Sequence, residues 1–263
     1  MKGCEITMFT NISFSTYGRC VKGSEWTIMN SLGTNRLYYI HSGNIAARVG
    51  GRDLMLEERN LYIFPQNLEF KLFPNDSVSV DHTFYDFWTI PVIKSDDIIQ
   101  ISSLSDYPLI NSALAPLFSI NEKYPMYPII KRNKYYNLVK SYLDNLLYLI
   151  NEDFRINTID DDVINKSINH IHQKYYDNIS IKELADEFNL DVSFFIKKFK
   201  TFTNQTPAQY IKAHRMSIAY NYLKSKKYSL SEIAEMVGYQ DAASLSHTFK
   251  KTYGVSPKYI DKI

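Results

Sequence analysis

Eight side chains in the last third of the sequence are of types that can read nucleic-acid bases, and they recur at matched positions. They are Ser193, Ile196, Lys197 and Lys200 in one segment and Ala243, Ser246, His247 and Lys250 in another. Each set has the i, i+3, i+4, i+7 spacing that makes one stripe along a helix. A helix in the major groove touches base edges through such a stripe near its N-terminal end, while lysines further along approach phosphates. Lys197 supplies donors for guanine and His247 a donor for guanine or adenine N7, and Ile196 and Ala243 supply apolar contact for a thymine methyl. Any one of these residues alone is as readily a solvated surface group; the duplication gives the set its weight.

The charge balance points the same way. Residues 1–164 hold 15 basic against 19 acidic side chains, and residues 165–263 hold 15 against 9, so a net charge of +2 conceals a −4 part and a +6 part. A basic module behind an acidic one suits a polyanionic partner. At 263 residues, 45% hydrophobic and 22% charged, the chain is long enough for two modest domains, which excludes a disordered tail. No run approaches the ~18 apolar residues of a membrane span, and Met1 to Thr10 lacks a basic segment followed by an apolar one. The expected location is the cytoplasm, with no membrane partner. Cys4 and Cys20 are too few for a disulfide framework or a four-thiolate zinc site.

The elements that must position the two stripes come from an internal repeat of about fifty residues. Ser180 to Asn189 aligns with Ser229 to Gly238, and both copies open on an S-x-x-E capping box, Ser180 with Glu183 and Ser229 with Glu232. Ala185 and Ala234 put a small residue where two helices cross, four positions before Asn189 or Gly238, which tolerate a left-handed backbone. Beyond each turn an i, i+4 pair, Phe195 with Phe199 and Leu245 with Phe249, anchors a second helix. The reading is two helix-turn-helix units, 180–202 and 229–252, in an all-α domain over 165–263, joined by one helix from Pro207 to about Lys224.

Upstream, short β-rich runs at 37–40, 45–49, 54–56, 61–64, 70–73, 78–80 and 84–89 are broken by Gly50-Gly51 and Pro65 and predict an antiparallel barrel or sandwich. Tyr135, Leu138, Val139, Tyr142, Leu143, Leu146, Leu147 and Ile150 then make an apolar stripe on a helix over 134–150. That stripe packs on the barrel or pairs with its copy in a homodimer. The N-terminal domain is expected over 1–150, and the polar stretch 151–164, with Asp160-Asp161-Asp162, reads as a linker.

At Ile233-Ala234, Gly238-Tyr239, Phe249-Lys250, Gly254 and Pro257 the chain resembles the AraC/XylS family of bacterial transcription regulators, over roughly 95 residues from Asn169 to Ile263. Arg215, Ala219 and Leu223 stand where the family places an R-x3-A-x3-L pattern on the linking helix. Three positions depart from it: Ala243-Ser244-Leu245 replaces the usual Ser-Tyr-Phe, Asn204 replaces a glycine, and Asp261 replaces a basic residue. The resemblance implies a double helix-turn-helix domain binding double-stranded DNA over about two turns, often beside RNA polymerase. It extends more weakly to a cupin-like sensor barrel through Tyr38 to Gly43, the glycine hairpin and Leu61 to Pro65.

The expected fold is therefore α+β in two domains: a cupin-like β-barrel with helices, then the all-α domain. The family implies a small-molecule effector such as a sugar in the barrel, for which Trp26, Tyr38, Tyr39, Tyr85 and Trp88 are stacking candidates, although aromatics in strands are more often core. Catalytic cupins need clustered His and Glu ligands; His41 and His82 stand alone without an H-x-H pair, so no metal, no cofactor and no catalytic residues are expected. The leading expectation is a ligand-responsive regulator that activates transcription, associated with the nucleoid when bound to DNA. The alternatives are a cupin-type metal enzyme with a DNA-binding tail and a regulator whose barrel only dimerises.

Overall fold

The computed structural model describes residues 9, 11–22, 28–29, 33–66, 68–74, 79–123, 127–128, 135–159 and 161–262. Leaving aside residues 31–34, the chain divides between Thr158 and Ile159 into two units.

The N-terminal unit is built on two antiparallel sheets. One has six strands in the order β10-β1-β8-β3-β6-β9: β1 (Asn11–Lys22), β3 (Asn35–Ser42), β6 (Leu61–Phe64), β8 (Val80–Ile90), β9 (Ile99–Ile101) and β10 (Tyr127–Pro128). The other has four in the order β2-β7-β4-β5: β2 (Ile28–Met29), β4 (Ile45–Val49), β5 (Arg52–Leu56) and β7 (Phe70–Pro74). Gly50 and Gly51 both have positive φ and close the β4–β5 hairpin with Val49 opposite Arg52, as the sequence required.

The runs expected separately near 80 and at 84–89 form one strand, β8, because it lies in the middle of the sheet. Its neighbours β1 and β3 pair along nearly its full length, and its two faces are both covered, so near-continuous burial replaces alternation. Even-numbered residues of β8 face the core between the sheets, formed by Tyr38, Ile40, Ile45, Ala47, Val49, Phe64, Phe70 and Leu72 among others. Tyr85 and Phe87 face a second core with Leu37, Leu61 and two helices, α1 (Pro108–Lys123) and α2 (Tyr136–Phe154).

Helix α2 corrects two expectations. It is longer at its C-terminal end than 134–150, closing at Arg155 in the left-handed region, and Asn151 stays buried, its side chain accepting from the Ile156 amide. Its apolar stripe is also already used. Val139, Leu143, Leu146, Leu147 and Ile150 are fully buried inside the unit, leaving Leu138 and Tyr148 as its exposed large apolar groups, so the stripe itself is not a surface for a second copy. The expected linker shortens in turn, because α3 (Asp162–Lys174) starts within it. Asp161 is the N-cap of α3 and accepts from the Ile164 amide: part of the acidic run is helix punctuation.

Between the two sheets, Arg36 donates to both carboxylate oxygens of Asp86 and to the Tyr38 hydroxyl, and its guanidinium lies over the rings of Tyr38 and Phe84. Asp86 is wholly buried and Arg36 nearly so. The pair satisfies itself where no water competes, and Asp86 holds the Arg36 guanidinium in its charged form. Asp86→Ala is expected to cost about 3–5 kcal/mol of unfolding free energy by leaving Arg36 uncompensated. Arg36→Met combined with Asp86→Leu should restore much of it. Urea denaturation of the full chain measures both.

Candidate nucleic-acid interface

Each helix-turn-helix unit is set by the same local chemistry. In the first, α4 (Ile181–Asp186) is capped by Ser180, whose hydroxyl accepts from the Glu183 amide. Its second helix, α5 (Val192–Thr203), starts at Asp191, which accepts from the amides of Ser193 and Phe194, and ends at Asn204 with φ 58°. In the second, α7 (Leu230–Met236) carries a complete capping box between Ser229 and Glu232. Helix α8 (Ala242–Tyr253) starts at Asp241, which accepts from the Ser244 amide, and ends at Gly254 with φ 77°. The amide bonds hold the carboxyls of Asp241 and Glu232 below the usual carboxylate range. Asn204 does the work of glycine at the first C-cap, as an Asn can.

One helix and one arginine join the units. Helix α6 (Pro207–Ser225) has proline in its first turn and a capping box between Thr206 and Gln209. From its middle, Arg215 donates to three backbone carbonyls: Nε to Tyr175 at 2.6 Å, one terminal nitrogen to Gly238 at 3.0 Å and the other to Asp177 at 2.7 Å. The same guanidinium lies over Tyr239. The turn it holds admits no side chain: Gly238 has φ +76°, and a Cβ there would sit 2.5 Å from the Tyr176 carbonyl oxygen. Beside it the imidazoles of His172 and His214 stack at 4.3 Å between α3 and α6, and His172 Nε2 lies 3.0 Å from the Tyr210 hydroxyl.

The anchors Phe195, Phe199, Leu245 and Phe249 are fully buried, and they decide which face points outward. On α5 the exposed residues are Ser193, Phe194, Lys197, Lys200 and Thr201; on α8 they are Ala243, Ser244, His247, Lys250 and Lys251, position for position the same. Six of the eight sequence candidates, Ser193, Lys197, Lys200, Ala243, His247 and Lys250, thus lie on the two outward faces. Ile196 and Ser246 do not: both are half-buried on the flank, because the face opposite the anchors is centred nearer Lys197 than the stripe from Ser193 implied. Phe194, 54% exposed, was missed, since an aromatic next to two core phenylalanines reads as core. Lys198 turns away from this face and pairs with Asp161 at 2.6 Å.

The proposed sugar platform does not assemble as one surface. Trp26 lies outside the described residues. Tyr38 is fully buried between the sheets, whereas Tyr85 is buried on the opposite face of its sheet, its hydroxyl donating to the Leu117 carbonyl and accepting from Asn121. Tyr39 is half-buried beside Phe118, and Trp88 is buried on the Asp86 side of β8. Strand alternation separates them. It separates the histidines too: His41 sits against Phe118, bonded to Thr83, and His82 against Tyr38. Among the described residues no group of three or more His, Cys, Asp or Glu side chains gathers, and no helix is long and apolar enough to cross a membrane.

A family model described as a helix-turn-helix domain matches residues 184–262. The chain is similar to the Msm operon regulatory protein of Streptococcus mutans, 28% identical over 160 residues, covering 59% of this chain and 52% of that one. It is similar to the raffinose operon transcriptional regulatory protein of Pediococcus pentosaceus, 32% identical over 98 residues, covering 37% and 35%. To the lactose operon transcription activator of Staphylococcus xylosus it is 30% identical over 124 residues, covering 45% and 44%. The chain spans about half the length, or less, of these relatives. Among solved structures, apo ToxT from Vibrio cholerae shares the fold at a TM-score of 0.65 and 13% identity, covering 95% of this chain and 98% of that one. An unsaturated-fatty-acid-bound ToxT does so at 0.62 and 14%, covering 98% and 97%.

Arg215→Ala is expected to lower unfolding free energy by about 3 kcal/mol, since charged hydrogen bonds contribute about 1.5–3 kcal/mol each and not all are lost to water. Arg215→Lys should recover only part, because an ammonium cannot span three carbonyls in the fork geometry. Thermal melts of the two variants against the parent give the ranking.

Proposed function

We propose that this chain, whose C-terminal domain matches a helix-turn-helix family model and resembles the AraC/XylS regulators, is a sequence-specific DNA-binding transcription regulator governed by a small-molecule effector in its N-terminal domain. The observation that carries the reading is the pair of matched outward faces, each with its own cations, fixed to one helix. Helix α6 has 19 residues, about 28 Å at 1.5 Å per residue, close to the ~34 Å between successive major-groove faces. Two helices so joined read adjacent turns of one side of the duplex, with a bend making up the difference.

On this reading Lys197 and His247 contact base edges near the starts of their helices, while Lys200, Lys250 and Lys251 approach phosphates. Selection of bound duplexes by the full-length protein should yield a site of about two helical turns. Lys197→Ala and His247→Ala should each weaken the preferred site by about 1–3 kcal/mol and relax preference at one position. Lys200→Ala and Lys250→Ala should weaken all sequences alike and reduce the salt slope by about 1 each. Sequence-indifferent binding at every salt concentration would end the proposal.

For the effector, the names of the raffinose and lactose operon regulators support a sugar, and the fatty-acid-bound ToxT supports a lipid acid. The N-terminal unit favours the first. Asn35 and Gln66 are buried there; the Asn35 side chain accepts from the Gln66 backbone amide, while Asn35 Nδ2 and both polar atoms of the Gln66 side chain have no hydrogen bond among the described residues. A hydroxyl can donate to Gln66 Oε1 as well as accept from the two amide nitrogens, whereas an ionised carboxylate only accepts and an alkyl chain does neither. One member of a sugar panel at 100 times its dissociation constant should add about 2.7 kcal/mol of stability, and Gln66→Leu should abolish the gain while leaving the ligand-free melt intact. Stabilisation by unsaturated fatty acids and by no sugar would reverse the assignment. Activation through RNA polymerase is the expected output, in keeping with the S. xylosus relative's name, and any α2 homodimer would use Leu138 and Tyr148.

A further inference from the structure

The two outward faces are built alike and differ in chemistry at their third helical position. Asp191 and Asp241 cap the two helices in the same way, the anchors Phe195 and Leu245 are equally buried, and Phe194 and Ser244 therefore occupy equivalent places, both exposed. At that place the second unit offers a hydroxyl and the first a phenyl ring with 54% of its surface in water. The ring is not needed for the fold of its own unit, whose core is closed by Phe195 and Phe199. Nor is the place one that demands an aromatic, since Ser244 fills it in the other copy.

A phenyl ring has no donor or acceptor for a base edge. The one major-groove feature it can recognise is the C5-methyl of thymine. Ile196, the other apolar candidate of the first unit, is half-buried on the flank and does not lie on the outward face. Resting on the DNA-binding reading above, we infer that Phe194 is the specificity-determining residue through which the first unit requires a thymine, by packing its ring on the 5-methyl group. The second unit has no counterpart and reads its half-site through the hydroxyl of Ser244 and the imidazole of His247. The operator is then asymmetric: one half carries a methyl-dependent position and the other does not, which fixes the direction in which the protein lies on DNA.

The test is a cycle between protein and DNA on the selected site. Each thymine is replaced in turn by deoxyuridine, which removes only the methyl, and Kd is measured for the full-length parent, Phe194→Ser and Phe194→Leu. At one position, in the half bound by α5, methyl removal should weaken the parent about fourfold, the value of one buried carbon. Phe194→Ser should weaken the thymine duplex by about the same factor and be indifferent to deoxyuridine at that position, while Phe194→Leu keeps part of the preference. Ser244→Phe should create a second methyl-sensitive position in the other half. The inference is overturned if Phe194→Ser loses the same factor on thymine and deoxyuridine duplexes, or binds as the parent does, which would make the ring a protein contact. If the parent selects no site at all, the regulator reading falls and this one with it; a site without methyl dependence defeats only this one.

Discussion

The guanidinium of Arg215 is the contact on which the C-terminal architecture depends. Three carbonyls from two separate stretches, Tyr175 and Asp177 after α3 and Gly238 after α7, converge on one side chain in the middle of α6. Each carbonyl belongs to a segment where regular helix bonding has stopped, so each needs a partner supplied from elsewhere. Burial lowers the tendency of Arg215 to stay protonated, and the Tyr239 ring beneath it works against that loss. The turn of the second unit is thereby clamped to the start of the first, and the absence of a Cβ at Gly238 is what lets the backbones come close enough to share the clamp.

From that clamp the interface follows without further assumption. With α6 held at its centre, the buried pairs Phe195 and Phe199, and Leu245 and Phe249, fix the rotation of α5 and α8 about their own axes. Rotation then decides which side chains meet a partner. Five positions on each helix point outward, and at most of them the two copies carry different chemistry. The N-terminal unit solves a different problem. Its central strand β8 has both faces covered, and the buried charges between the sheets among the described residues, Arg36 and Asp86, neutralise each other there. A domain so filled buries polar amides such as Gln66 rather than presenting an open aromatic wall.

Much of the C-terminal domain was legible because its signals are local. The N-cap serines Ser180 and Ser229, the second completing a capping box, a left-handed residue at Gly238, and i, i+4 anchors state where helices start, turn and bury, within a few residues of each other. What escaped depends on neighbours distant in sequence. The three carbonyls of Arg215 lie 23 to 40 residues away, and no spacing rule connects them. Strand β1 was missed because Ser13, Thr16, Gly18 and Cys20 blur its alternation, although it pairs with β8 from Asn11 to Lys22. Helix α1 was not among the expected elements, and Pro116 inside it weakens its helical signal. The described aromatic candidates Tyr38, Tyr39, Tyr85 and Trp88 lie in strands, yet alternation put Tyr38 and Tyr85 on opposite faces. Asp161, read as linker polarity, turned out to be a cap that also holds Lys198.

The central claim is that the two units read DNA as one rigid body set by α6. Its most direct test is the affinity of the full-length protein for its selected site with zero, five and ten base pairs inserted between the halves. A rigid pair loses the second half-site in both longer duplexes, because five pairs turn it to the opposite face and ten carry it beyond the reach of a 19-residue helix. Binding should then drop in both cases to that of a single half-site. Recovery of full affinity at ten pairs would mean that the units move independently, and the account of Arg215 and α6 as a fixed frame would be wrong.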